Sequence, residues 1–381
     1  MIDKRIKYYQ KIKEDRENGV YNYIPFHTLP TLAKYVPGII PGTQYLLFAP
    51  TSVGKSSIGR FLFIETAYTF IKDNPQSGLS LRIMLNALEE TADEIIDILV
   101  CARLYRKGFN VSVNQLNGYG KPVSNNIINA IKKEIEYFND LKKYLYIYDI
   151  GNVFGFYRVI REYAKNNGKF YQVDEITGET IKEVNPSKKD KNGKYTPWNE
   201  YRANNPKEIV ITMSDHIGLY EPEKGKTRYD TIRDLSAKYS RRIICKKFNY
   251  VSVLIQQANA ESASKQFNYK GALVIEKNEP SLDHLAEMKL TKNDALVVMA
   301  LMNPFVFAQE GEYIGYDLEQ LDEYFRLLFI LKNRKGGGVG AKLPLFFNGA
   351  ANLFKELPPP DSKLMDKVYN KIKNIKYGTT N

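Results

Sequence analysis

Residues 48–57 read FAPTSVGKSS, between the apolar run YLL (45–47) and the stretch IGRFLFIETAY (58–68). A strand, a tight loop and a helix opening on Gly-Lys-Ser are the parts of a phosphate-binding loop. The N–H groups of such a loop, backed by a helix N-terminus, offer partial positive charge to phosphate oxygens. On this reading Ala49, Pro50, Thr51, Ser52, Val53, Gly54, Lys55, Ser56 and Ser57 form the cradle. Lys55 reaches the outer phosphates, the Ser56 hydroxyl takes Mg²⁺, and Gly54 lets backbone approach closely. The loop opens on Ala49 instead of glycine, which is tolerable while that backbone stays in an ordinary region.

The surrounding chain alternates strand-like and helical runs. YLLFA, LRIMLNA, YLYIYDI, EIVITMSD and YVSVLIQQ are apolar enough to be buried strands, and helical patterns separate them. Such alternation predicts an α/β fold with a mostly parallel sheet covered on both faces. The later runs ALVVMALM, FRLLFILKNR and KLPLFFN have no helix between them, so that edge is expected to be antiparallel. Residues 1–24 hold a short amphipathic helix with Ile2, Ile6, Tyr9 and Ile12 at helical spacing, and residues 25–357 form the core. Residues 168–207 are polar and turn-rich and read as a surface insertion containing a hairpin. Residues 358–381 form a Pro-linked helical tail with Leu364, Val368, Ile372 and Ile375 on one face.

Composition narrows the function classes. The 381 residues are 43% hydrophobic, a globular value. Cys101 and Cys245 make no disulfide framework, and His27, His216 and His284 make no local metal motif. No apolar run is long enough to span a membrane, so a cytoplasmic chain is expected. The net charge of +12 suits a polyanion such as nucleic acid. The same charge, with 28 tyrosines, also fits the codon bias of an AT-rich genome.

A phosphate loop needs an acid at the end of a neighbouring strand to hold the metal, and Asp215 closes IVITMS. It needs a group to polarise water, and Glu89 or Glu90 follows the next strand after the loop. Those two acids also suit the start of a helix. Gln256 or Gln257, at the end of SVLIQQ, is placed to contact the γ-phosphate. Lys332 and Arg334 alternate along a strand ahead of the turn KGGGVG and suit an anion.

In this order, APTSVGKSS, LNALEE, VITMSDHIGLY, VLIQQAN, NDALVVMALM and LFILKNRKGGGVGAKLPLFF resemble the RecA-type motor domain of DnaB-like ring helicases, over residues 25–355. That family commonly has alanine at the place of Ala49. The resemblance implies a RecA-like ATPase core using ATP or another NTP with Mg²⁺, Glu89 as catalytic base and Asp215 as metal acid. It makes Gln257 the phosphate sensor, and Lys332 with Arg334 groups that act on a neighbouring subunit's site. It further implies a phage-like replicative helicase that works as a hexamer on single-stranded DNA, with a primase, polymerase or loader as partners. Lys265 and Lys270, in the loop after Gln257, would hold DNA phosphates. The chain departs from the family in the length of its 168–207 insertion, in Ala260 and in ALMNPF, where arginines are usual, and in having only about 25 residues before the motor. A RecA-class recombinase or mediator, or a non-motor regulatory ATPase, shares the same core.

Overall fold

The computed structural model describes residues 2–377 apart from 190, 192, 194–195, 259–267, 270–271, 274 and 286–289. Lys265 and Lys270 lie outside the described residues. The centre is a nine-stranded sheet. In chain order its strands are β1 (Gln44–Ala49), β2 (Ser80–Ala87), β3 (Leu145–Tyr148), β4 (Glu208–Asp215), β5 (Val251–Gln257), β6 (Val297–Met302), β7 (Phe325–Asn333), β8 (Lys342–Asn348) and β9 (Leu353–Glu356). In space the order is β9-β8-β7-β6-β1-β5-β4-β2-β3. The six strands from β6 to β3 run parallel, and β7, β8 and β9 add on antiparallel. Both features follow the sequence reading, because only the later strands lack connecting helices.

Strand alternation sends successive side chains to opposite faces. Leu47 and Ala49 of β1 join the core beneath the helix that follows the loop, with Ile58, Phe61 and Leu62. Leu46 and Phe48 join the other core, with Phe156 and Ile160 of helix Val153–Asn166 and with Leu235 and Tyr239. The post-loop helix runs as Lys55–Arg60, a π-helical stretch Phe61–Glu65, and Thr66–Asp73. It lies close on the sheet because of Gly59, where a Cβ would stand 2.6 Å from Ile255 Cδ1 and 2.7 Å from Met213 Cε.

The parallel register brings strand ends together. Ala49 pairs with Gln257, and Ala87 pairs with Asp215. The candidate site residues after β1, β2, β4 and β5 therefore share one end of the sheet.

The polar insertion holds more than a hairpin. Gly168–Val173 pairs on one side with Thr180–Val184 and on the other with Glu200–Ala203, all antiparallel. Trp198 stacks on Phe248 at 5.6 Å, and Phe170 meets its edge at 4.7 Å, which fixes this small sheet to the core. The C-terminal helix Leu364–Tyr377 packs on its own subunit, but its buried face differs from the one expected. Leu364 is exposed, and Met365 and Ile372 are the buried anchors, with Val368 and Ile375 partly covered. The first helix, Ile2–Glu17, ends ahead of Gly19 at φ 71° and leaves Ile2, Ile6 and Tyr9 exposed. Among the described residues no helix is long and apolar enough to cross a membrane.

Candidate nucleotide site

The loop after β1 has the backbone of an anion cradle. Ser52 has φ 64° and Gly54 φ 106°, flanking the buried Val53. Gly54 is required twice, since its φ is left-handed and a Cβ there would meet the Phe347 ring at 3.2 Å. It caps helix Lys55–Arg60, whose first N–H groups have no partner within the helix and face the loop. The Lys55 side chain is buried, and its Nζ donates to Glu89 Oε2 at 3.2 Å.

Ser56 Oγ donates to Asp215 Oδ1 at 3.1 Å. This is the pair that a Mg²⁺ ion would share, since Mg²⁺ takes one or two protein oxygens and draws the remainder from phosphate and water. Asp215 is buried, and burial pushes its carboxyl up to about 6, against the pull of Arg60 and of the Ser56 hydrogen bond. A carboxyl so desolvated, beside a hydroxyl and a cradle of N–H groups, fits a cation brought in with an anion.

Leu88 N donates to Asp215 O at 2.8 Å, carrying the β2–β4 pairing up to the acidic pair. Helix Ala92–Arg106 takes its cap from Thr91, in a reciprocal box with Glu94. Glu89 and Glu90 thus stand ahead of the cap, free to face the loop. They diverge there: Glu89 pairs with Lys55, and Glu90 with Arg60. His216 accepts from Gly218 N at 3.2 Å through Nδ1, and its imidazolium is disfavoured by burial first and then by the charge of Lys55.

The two glutamines separate by strand alternation. Gln256 is buried, and its Oε1 accepts from Thr291 Oγ1 at 2.8 Å. Gln257 reaches the loop itself, with Nε2 donating to Thr51 Oγ1 at 2.6 Å.

Lys332 and Arg334 lie elsewhere. Asn333 pairs with Val297, which in turn pairs with Tyr45 near the start of β1. That is four residues from Ala49, or about 13 Å along the strands, plus two inter-strand spacings of about 4.8 Å. The exposed Arg334 is therefore at the opposite end of the sheet from its own loop. Its backbone N–H bonds Leu296 O at 2.8 Å. Lys332 is half-buried, and its Nζ donates to the carbonyls of Lys292 and Asn293, the latter at 3.1 Å. Burial lowers its pKa, and the charge of Arg334 adds to that.

Two arginines at the site escaped the sequence reading. Arg60, 3% exposed on the loop's own helix, holds Glu90. Arg326, 5% exposed at the start of β7, donates through Nε to Val53 O at 2.7 Å. The signal for each is a lone charge inside an apolar run, SIGRFLF and YFRLLF, where a buried cation needs a reason.

No family model and no curated protein matches the chain. Solved structures do match. The ATPase domain of a helicase superposes with a TM-score of 0.65 at 16% identity, covering 94% of this chain and 99% of that one. A DnaB-like replicative helicase, described with its interactions with primase, superposes at 0.64 and 15% identity, covering 93% of this chain and 67% of that one. The chain has the RecA-type ATPase fold of DnaB-like helicases.

Proposed function

We propose that the chain is an ATP-dependent DNA helicase or translocase that works as a homo-hexameric ring on single-stranded DNA during replication. The observation that carries this reading is the division of its machinery between two ends of one sheet. Lys55, Ser56, Glu89, Asp215 and Gln257 gather at the strand C-termini, linked by contacts of 2.6–3.2 Å. Arg334 stands at the far end, beyond reach of its own loop. A site so divided is complete only between subunits, which suits a closed ring.

Each residue then has a task. Residues 49–57 cradle the phosphates, and Lys55 neutralises the outer ones. Mg²⁺, when bound, would supply charge to the phosphate oxygens, held through Ser56 and Asp215. Glu89 accepts a proton from the attacking water, and its partner Lys55 turns to phosphate when nucleotide enters. Gln257 senses the terminal phosphate and passes its presence to the loop from residue 258 onward, where DNA would be held. Arg334 and, more weakly, Lys332 come from the neighbouring subunit and stabilise charge developing on the transferred phosphoryl group. Residues 1–24 and 358–381 are appendages of this motor.

The likenesses to the two helicase structures support the motor reading through the fold. The test is ATP hydrolysis with and without single-stranded DNA, combined with negative-stain microscopy. Stimulation by DNA and closed six-fold rings are expected. Filaments would move the reading to a recombinase, and DNA-indifferent turnover to a regulatory ATPase.

A further inference from the structure

The buried arginine of β7 stands behind the phosphate loop without an acid of its own. Arg326 Nε donates to Val53 O at 2.7 Å, and Nη1 donates to Glu323 O at 2.6 Å and Phe325 O at 2.8 Å. All three acceptors are neutral backbone carbonyls. Burial lowers the guanidinium to about 10, and the charge of Glu323 only partly offsets this. A buried cation held by carbonyls alone carries a desolvation cost that an ion pair would have offset.

What it holds is informative. Val53 lies between Ser52 and Gly54, the two positive-φ residues that shape the loop. The peptide joining Val53 to Gly54 is planar and trans, so its C=O and the Gly54 N–H point in opposite directions. A donor that fixes Val53 O from behind therefore aims the Gly54 N–H to the other side, toward the phosphate cradle. The same hydrogen bond polarises that peptide and strengthens its N–H as a donor. Phe347 of β8 closes the clasp. Its ring backs Gly54 at 3.2 Å from a notional Cβ, lies 4.9 Å from the Arg326 guanidinium carbon, and stacks on Phe354 at 4.3 Å. The antiparallel strands β7 and β8 thus grip the phosphate loop within one subunit.

We propose that Arg326 is a positioning residue that fixes the Val53 carbonyl and thereby sets the loop's N–H groups for nucleotide phosphate. The proposal rests on the reading of residues 49–57 as a nucleotide site. It has a thermodynamic signature that a merely structural arginine lacks. Removing Arg326 deletes an unpaired buried charge as well as its hydrogen bonds, so the protein without nucleotide keeps its stability. The loss falls on the nucleotide-bound state.

The test measures thermal midpoints and Kd for MgADP and for Mg²⁺ with a non-hydrolysable ATP analogue on the full chain, comparing wild type, Arg326→Met, Arg326→Lys and Lys55→Ala. Arg326→Met is expected to bind nucleotide about 10- to 100-fold more weakly, the scale of a lost charged hydrogen bond. Its midpoint without nucleotide is expected within about 4 °C of wild type. A lowered midpoint with unchanged Kd would overturn the proposal. Should Arg326→Met fail to fold, Arg326→Lys decides, because an ammonium has no planar fork to hold Val53 O and the two strand carbonyls together. Weaker nucleotide binding is expected of it, and wild-type binding overturns the proposal. A wild-type protein that binds neither nucleotide removes the site reading itself. Binding that Lys55→Ala abolishes and Arg326→Met keeps removes only the role of Arg326.

Discussion

The ammonium of Lys55 stands 3.2 Å from the carboxylate of Glu89, 34 residues further along the chain. The phosphate-binding cation and the proposed base are therefore partners, and each sets the other's position. The Lys55 side chain is nearly buried while Glu89 is 45% exposed, so the carboxylate is the member placed to meet water. Glu89→Gln is expected to keep nucleotide binding and to lose about 10²- to 10⁴-fold in turnover, the usual share of a general base. Steady-state ATP hydrolysis measures this. Turnover near wild type would shift the base to another group.

The pairing of Glu90 with buried Arg60 argues for a different phenotype at the adjacent acid. Glu90→Gln leaves a buried guanidinium without its carboxylate, a change that costs about 3–5 kcal/mol for a broken buried pair. The variant should melt several degrees lower while its residual folded fraction still turns over ATP. Calorimetry beside kinetics separates the two acids. A Glu90→Gln protein of unchanged stability and abolished turnover would exchange their roles.

The first helix offers a prediction about assembly. Ile2, Ile6 and Tyr9 are 66%, 46% and 55% exposed on a helix otherwise charged. A row of apolar side chains left exposed on its own subunit suits docking on a neighbour. Removing residues 1–20 is expected to lower the oligomer fraction in light scattering and to leave the monomer's thermal midpoint nearly unchanged. Full assembly by the truncated chain would leave the stripe without that role.

Asp140 ties the post-loop helix to the helix before β3. Its carboxylate is held down to about 2, chiefly by the hydrogen bond from Lys72 at 2.8 Å, with Tyr68 and Lys143 assisting. An unfolded-state aspartate titrates near 3.9. A lowered folded pKa stabilises fully above the unfolded value, and the contribution is lost as pH falls through the folded one. The difference in thermal midpoint between wild type and Asp140→Asn should be full at pH 6 and should close toward pH 2. A constant difference would mean that Asp140 acts through packing alone.

Much of this molecule is legible because its signals are local. The strand, loop and helix around Gly54 and Lys55 are contiguous, and the missing helices between the last three long runs foretell the antiparallel edge. The third strand of the insertion, Glu200–Ala203, gave no signal, since EYRA is short and mixed and is held by Phe170, Trp198 and Phe248 from outside it. On the C-terminal helix, apolar spacing selected Leu364 where Met365 is the buried anchor, because one residue rotates a helix face by about 100°. Lys332 read as one of two alternating cations, but its ammonium is bonded to carbonyls of Lys292 and Asn293, forty residues away in sequence for the first. Arg60 and Arg326 were hidden for the same reason, since what each holds is brought to it only by the fold.

The division of the site between subunits is the central claim, and mixing two inactive variants tests it most directly. Arg334→Ala is expected to fold, bind nucleotide and assemble, yet to lose about 10³- to 10⁵-fold in hydrolysis, the worth of an arginine finger. Lys55→Ala should be inactive because its own loop fails. Within a mixed oligomer, some interfaces pair an intact loop from one variant with an intact Arg334 from the other. ATP hydrolysis should therefore reappear on mixing subunits that exchange, and Lys332→Ala alone should show the milder defect of a cation already bonded within its own chain. No recovery in demonstrably mixed oligomers would contradict the account and confine Arg334 to its own subunit.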